Sequence, residues 1–252
     1  MRSRIARWAR RSGLATALVA STAISAAGQP VRAFAPDRPA APLDITESDV
    51  AESNRKIGMA YQALASMWSK SFDELGAAFE VPTIARYRGM VRTSCGVMPS
   101  NNALYCPSRN AIYFDEVFVA RQAKAAAREL GTDGDMVSVG IIAHEMGHAV
   151  AMQLGENGRV PYESERTADC LAGVFTMQSE RDGNLEDGDL NEAFFGMAAA
   201  GDPTPEYTGD RRIDTRIAMR SQLLGHGSRD QRMQNFKAGY RGGAAACLVA
   251  FR

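Results

Sequence analysis

Residues 136–155 read Met-Val-Ser-Val-Gly-Ile-Ile-Ala-His-Glu-Met-Gly-His-Ala-Val-Ala-Met-Gln-Leu-Gly, with His144-Glu145-Met146-Gly147-His148 near the centre. Apolar residues fill most of the stretch and Gly155 closes it, the pattern of a buried helix. Histidines four apart lie on one helix face, so both imidazoles can reach a single metal ion. Glu145 is rotated off that line and is free to address a water beside the metal. The chain has only three histidines, and two are here. Two histidines and a glutamate buried in such a helix are costly unless something pairs with them. A metal is the economical partner; the competing reading is a pair of satisfied core histidines at a coincidental spacing.

Around this helix the sequence predicts an α+β domain, helix-dominated, with a small β-sheet beside the His144–His148 helix. Upstream, Ile57, Ala60, Tyr61, Leu64, Met67 and Trp68 recur at helical spacing, and Thr46 with Asp49 three residues on forms an N-terminal cap signal. That predicts a long helix from Thr46 to about Leu75. Residues 86–115 are β-rich, with strands expected at Val91–Gly96 and Asn110–Phe114. Helical patterns follow at about 115–130, 135–154, 162–181, 189–200, 211–224 and 229–240.

The ends and the charge bound the class. Arg2, Arg4, Arg7, Arg10 and Arg11 precede the uncharged run Leu14–Ala27, and Ser25-Ala26-Ala27 offers small residues at a cleavage point. Residues 1–27 therefore read as a signal peptide, with an uncleaved membrane anchor as the alternative. Residues 28–44 hold four prolines among alanines and read as a linker, leaving 45–252 as one domain. Cleavage removes five arginines and no acids, so the mature chain has 24 basic against 29 acidic residues, a net charge near −5. No basic stripe remains for nucleic acid. The expected location is periplasmic or extracellular, or anchored and facing the periplasm.

Four cysteines in an exported chain predict disulfides. Cys95 and Cys106 flank a turn, which leaves Cys170 with Cys247, although four cysteines allow three pairings. No C-x-x-C spacing supports the cysteines as metal ligands.

A catalytic zinc takes three protein ligands and keeps one open position. His226 is the remaining histidine, and carboxylates are the other source. Glu165 and Asp169 are four apart on the next predicted helix and share a face. Glu165 is the candidate third ligand to one Zn2+, and Asp169 the acceptor for the second N–H of a ligand histidine. The bland reading of both acids is a solvated face. His226, in a glycine-flanked loop, is the candidate catalytic donor to the oxyanion, with Arg232 or Tyr240 as alternatives.

At this point the chain resembles the bacterial neutral zinc metallopeptidase family. The likeness rests on four stretches in order: Cys95-Gly96 with Tyr105-Cys106-Pro107 and Ile112-Tyr113-Phe114-Asp115; the His144–His148 motif; Glu165 with Ala168-Asp169-Cys170-Leu171-Ala172-Gly173-Val174; and His226-Gly227-Ser228, Gln231-Arg232, Phe236, Gly239-Tyr240 and Cys247. Together they span roughly residues 55 to 250. The resemblance implies a zincin-like fold and a gluzincin-like site, with Glu165 and Asp169 as its E-x-x-x-D pair and Glu145 as general base. The implied activity is hydrolysis of a peptide or protein substrate. Three departures stand out: Ala149 where the family often has histidine, Gly225 where threonine is usual, and the approach at 101–104. The alternatives are a non-catalytic exported zinc-binding domain and a zinc hydrolase of a non-peptide amide such as a cell-wall bond.

Overall fold

The computed structural model describes residues 42–203 and 205–252. The signal-peptide reading of 1–27 and most of the 28–44 linker lie outside them. The long first helix, α1 (Glu47–Glu74), starts as its cap signal requires: the Thr46 hydroxyl accepts from the Asp49 N–H, and the Asp49 carboxylate accepts from the Thr46 N–H. Its buried stripe, Val50, Ser53, Ile57, Ala60, Leu64, Trp68 and Phe72, follows the three-and-four spacing of one helix face.

Five short strands follow: β1 (Thr83–Tyr87), β2 (Val91–Thr93), β3 (Gly96–Met98), β4 (Ala103–Cys106) and β5 (Ala111–Asp115). The main sheet has the order β1-β5-β4, with β1 parallel and β4 antiparallel to β5. β2 and β3 form a separate antiparallel hairpin. The single strand expected at Val91–Gly96 is thus broken. The chain turns at Ser94-Cys95, and Gly96 takes φ +106°, a conformation open to glycine at little steric cost. β1 and β4 were not foreseen as strands; each has only four or five residues and takes its order from pairing with β5.

The remainder is helical: α2 (Glu116–Leu130), α3 (Asp135–Gln153), α4 (Pro161–Arg181), α5 (Asp189–Ala199), α6 (Arg211–Leu224), α7 (Arg229–Gly242) and the short α8 (Ala244–Cys247). α3 is the centre of the molecule, in contact with α1, α2, α4, α5, β4 and β5. That explains why its sequence shows no polar face: fourteen of its nineteen residues are buried. Its N-terminus is held by the fully buried Glu192 carboxylate of α5, which accepts from the Gly134 and Met136 N–H groups. Gly147 lets α4 approach; a Cβ there would lie 3.0 Å from the Ala168 backbone. α7 in turn packs on α4, so three helices meet where the motif lies.

Both expected disulfides are present, Cys95–Cys106 and Cys170–Cys247. The first ties the β2–β3 turn to the end of β4, and the second ties α4 to α8. Among the described residues, no helix is long and apolar enough to cross a membrane.

Candidate metal centre

His144 and His148 project from one face of α3 toward α4, where Glu165 meets them. The His144 and His148 Nε2 atoms are 3.2 Å apart, and they lie 3.1 and 3.4 Å from the two Glu165 carboxylate oxygens. Zinc bonds of 2.0–2.1 Å in a tetrahedron require ligand atoms about 3.3–3.4 Å apart. The three donors therefore already stand at roughly the edge lengths of a tetrahedral zinc site. Their chemistry fits as well: two imidazoles and one carboxylate leave a fourth position open.

The opposite ring nitrogens are occupied, which turns both Nε2 atoms toward the common point. His144 Nδ1 lies 2.9 Å from Asp169 Oδ1, and His148 Nδ1 lies 3.1 Å from Ser164 Oγ. Asp169 is fully buried one turn beyond Glu165. Its charge is matched by Arg232 of α7, whose Nε lies 3.2 and 3.1 Å from the two carboxylate oxygens and whose Nη2 lies 2.6 Å from Oδ1. Arg232 Nη1 donates to the Ala200 carbonyl at 3.0 Å, so the guanidinium spans α4 and the end of α5.

These neighbours set the protonation of the site without metal. Burial opposes charge on His144, but the Asp169 and Glu165 carboxylates outweigh it and lift its pKa to about 10. Burial also pushes Glu165 upward, yet the two histidines hold it far below the usual carboxylate range. In this form His144 carries a proton between two carboxylates, and a metal would take the place of the Nε2 proton.

Glu145 lies off the ligand line, as its position in the motif requires. Its Oε2 accepts from the Tyr105 backbone N–H of β4 at 2.7 Å, a bond that orients the carboxylate beside the metal donors. Nothing in the sequence announced this role for Tyr105, because the donor is main chain, nor that of Ser164. A cavity of about 370 Å³ opens over the site, with Glu145, both histidines, Glu165 and Arg232 in its wall.

His226 lies at the rim of the same cavity, in the loop before α7, with its side chain 65% exposed. Asp202 shapes that loop: its carboxylate accepts from the Gly227 N–H at 3.1 Å, and its Oδ1 is 3.4 Å from His226 Nδ1. The two alternative donors go elsewhere. Arg232 is committed chiefly to Asp169, and the Tyr240 hydroxyl donates to Glu180.

A profile of the family described as "Putative neutral zinc metallopeptidase" matches residues 38–251. The chain belongs to this family. Among its relatives, the "Uncharacterized protein YpfJ" of Escherichia coli strain K12 is 32% identical over 200 residues, covering 73% of this chain and 66% of that protein. The "Uncharacterized protein Rv2575" of Mycobacterium tuberculosis strain H37Rv is 28% identical over 215 residues, covering 77% of this chain and 70% of that protein. The chain thus spans about two thirds of the length of these relatives. No solved structure matches.

A second group of acids, Asp133, Asp135, Asp189 and Glu192, gathers near the start of α3. Lys56 pairs with Asp133 and Asp135, and Glu192 accepts from the free N–H groups of the helix. These contacts give the group a structural role.

The site geometry gives a first prediction. Glu165→Ala should weaken zinc binding by more than about 100-fold, exceeding the loss expected for a residue that only supports a ligand. Glu163→Ala should change it little, because Glu163 accepts from the Arg159 N–H outside the donor triangle. Metal analysis after dialysis against graded chelator would check both; equal retention would remove Glu165 from the ligand set.

Proposed function

We propose that this chain is an exported zinc-dependent peptidase in which Glu145 is the general base. The observation that carries this reading is the convergence of His144, His148 and Glu165 at tetrahedral spacing, with the Glu145 carboxylate in the same cavity wall. A structural zinc site closes with four protein ligands and has no use for an oriented base; three ligands and a free carboxylate suit hydrolysis.

Zinc held by these residues supplies Lewis acidity, polarising the scissile carbonyl and making a water easier to deprotonate. Glu145 accepts the proton of the attacking water as the new C–O bond forms. It then returns that proton to the amine nitrogen as the C–N bond breaks, so no other proton donor is needed for the leaving group. The Tyr105 N–H fixes the orientation of the carboxylate through both steps. Asp169 keeps the Nδ1 proton of His144 in place, which leaves Nε2 as the ligand atom. His226, held by Asp202 at the rim, is the candidate donor to the developing oxyanion. Its replacement by alanine should lower kcat about 10- to 100-fold with zinc retained; unchanged kcat would assign the oxyanion to other groups.

Export rests on the reading of residues 1–27 and is supported by two disulfides, which persist in oxidising compartments. The deciding experiment is a digest of a broad peptide library by the zinc-loaded mature protein, with and without chelator. Cleavage that chelator abolishes supports the peptidase reading. No cleavage shifts the function to a non-catalytic zinc domain or to a hydrolase of another amide.

A further inference from the structure

Gly140 is a glycine without a packing reason. It lies inside α3, where glycine weakens a helix by roughly 1 kcal/mol relative to alanine. Elsewhere on the same helix the smallest residue is required: a Cβ at Gly147 would press on the Ala168 backbone at 3.0 Å. At Gly140 an added Cβ would meet only Met197 Cε, at an ordinary 3.8 Å. Its φ is not positive either, so backbone geometry does not call for it. What Gly140 does have is position. It precedes His144 by four residues and His148 by eight, so it continues the ligand face of α3 and borders the cavity beside the metal donors.

Much of the cavity wall is apolar: Phe118 of α2, Met136, Val137 and Ile141 of α3, and Ala193 and Met197 of α5 contribute to it together with Gly140. Every charged or histidine side chain in the wall belongs to the candidate metal centre, its Arg232 support or the His226 rim, and the uncharged polar side chains are Gln122 of α2 and Asn102 just before β4. A pocket of this lining binds through burial of apolar area, which yields about 25 cal/mol per Å² and excludes a charged occupant lacking a partner.

We infer that the apolar part of the cavity is a side-chain pocket for a bulky apolar residue, of the leucine or phenylalanine class, next to the bond that is cut, with Gly140 setting its size. The inference rests on the proposed peptidase function for the identity of the occupant. Gly140 lines the cavity, and a Cβ there would meet only Met197 Cε, so the space beside it would take that side chain.

The test uses three zinc-binding peptide hydroxamates that differ only in the side chain beside the hydroxamate, glycine, leucine or phenylalanine, titrated into the zinc-loaded protein. The leucine or phenylalanine probe should bind at least about 10-fold more tightly than the glycine probe. In Gly140→Leu that ratio should fall to near one, with zinc content retained. Gly140→Ala should raise Tm by a few degrees, since the helix gains and no neighbour is displaced, while reducing the preference for phenylalanine. A ratio near one in the unaltered protein, including no binding by any probe, overturns the inference. So does a ratio unchanged in Gly140→Leu, or a fall in Tm in Gly140→Ala, which would make Gly140 a packing requirement. Failure of the peptidase reading would look different: the probe preference would persist while no peptide in the library is cleaved.

Discussion

Glu145→Gln should cut peptide hydrolysis by about 10³-fold, within the usual range for loss of a general base, while zinc content stays near that of the unaltered protein. The substitution is nearly isosteric. A glutamine oxygen can still accept the Tyr105 N–H that now binds Glu145 Oε2 at 2.7 Å, so the β4–α3 contact survives. What disappears is the capacity to take a proton from water and hand it to the leaving amine. Because Glu145 is not one of the three converging donors, the metal should remain. Steady-state rates on a cleaved peptide, measured together with bound zinc, provide the check. Full activity in the glutamine variant would reject Glu145 as the base, and loss of zinc alongside activity would make it a ligand instead.

Arg232→Met should be the most damaging single change to the metal-free fold, destabilising it by about 3–5 kcal/mol. Asp169 is fully buried, and Arg232 is its strongest partner, through Nε and Nη2. Removing the guanidinium leaves a buried carboxylate dependent on His144 alone and deprives the Ala200 carbonyl of its donor. For a domain of this size the loss corresponds to a Tm lower by roughly 10 °C. The double variant Arg232→Met, Asp169→Leu should recover much of that stability, because a buried pair replaced by apolar groups is often neutral. It should not recover zinc affinity. Without Asp169 nothing holds the Nδ1 proton of His144, and such support is worth about 10- to 100-fold in metal binding. Chemical denaturation in chelator and zinc titration of the unaltered protein, Arg232→Met and the double variant separate the two roles. A loss below 1 kcal/mol in Arg232→Met would show that water or His144 already compensates Asp169.

Most of the residues that converge at the candidate metal centre are legible in the sequence, for physical reasons that differ by residue. His144 and His148 could be read because helical periodicity converts a spacing of four into a shared face. Glu165 and Asp169 could be paired by the same rule, but only as a face of another helix. That this face meets the first depends on Gly147 admitting the Ala168 backbone, a contact between segments about twenty residues apart. Family membership, shown by the match over residues 38–251, agrees with the resemblance read from the motifs. Arg232 was visible as a candidate but in another role. Its spacing from Asp169 carries no periodic signal, and only the packing of α7 on α4 turns a possible oxyanion donor into the counter-ion of Asp169.

By itself, then, the sequence determined the helix-dominated α+β class, the motif helix and the donor types of the candidate metal centre, because these follow from local spacing and composition; of the three pairings that four cysteines allow, the structure holds the expected one. The tertiary structure decided what no local pattern encodes. It broke the expected 91–96 strand into a turn and built β4 beside α3. It thereby supplied the Tyr105 N–H that orients Glu145, and it left the space over Gly140 open. A main-chain donor has no sequence signature, and an empty volume is a property of the helices around it.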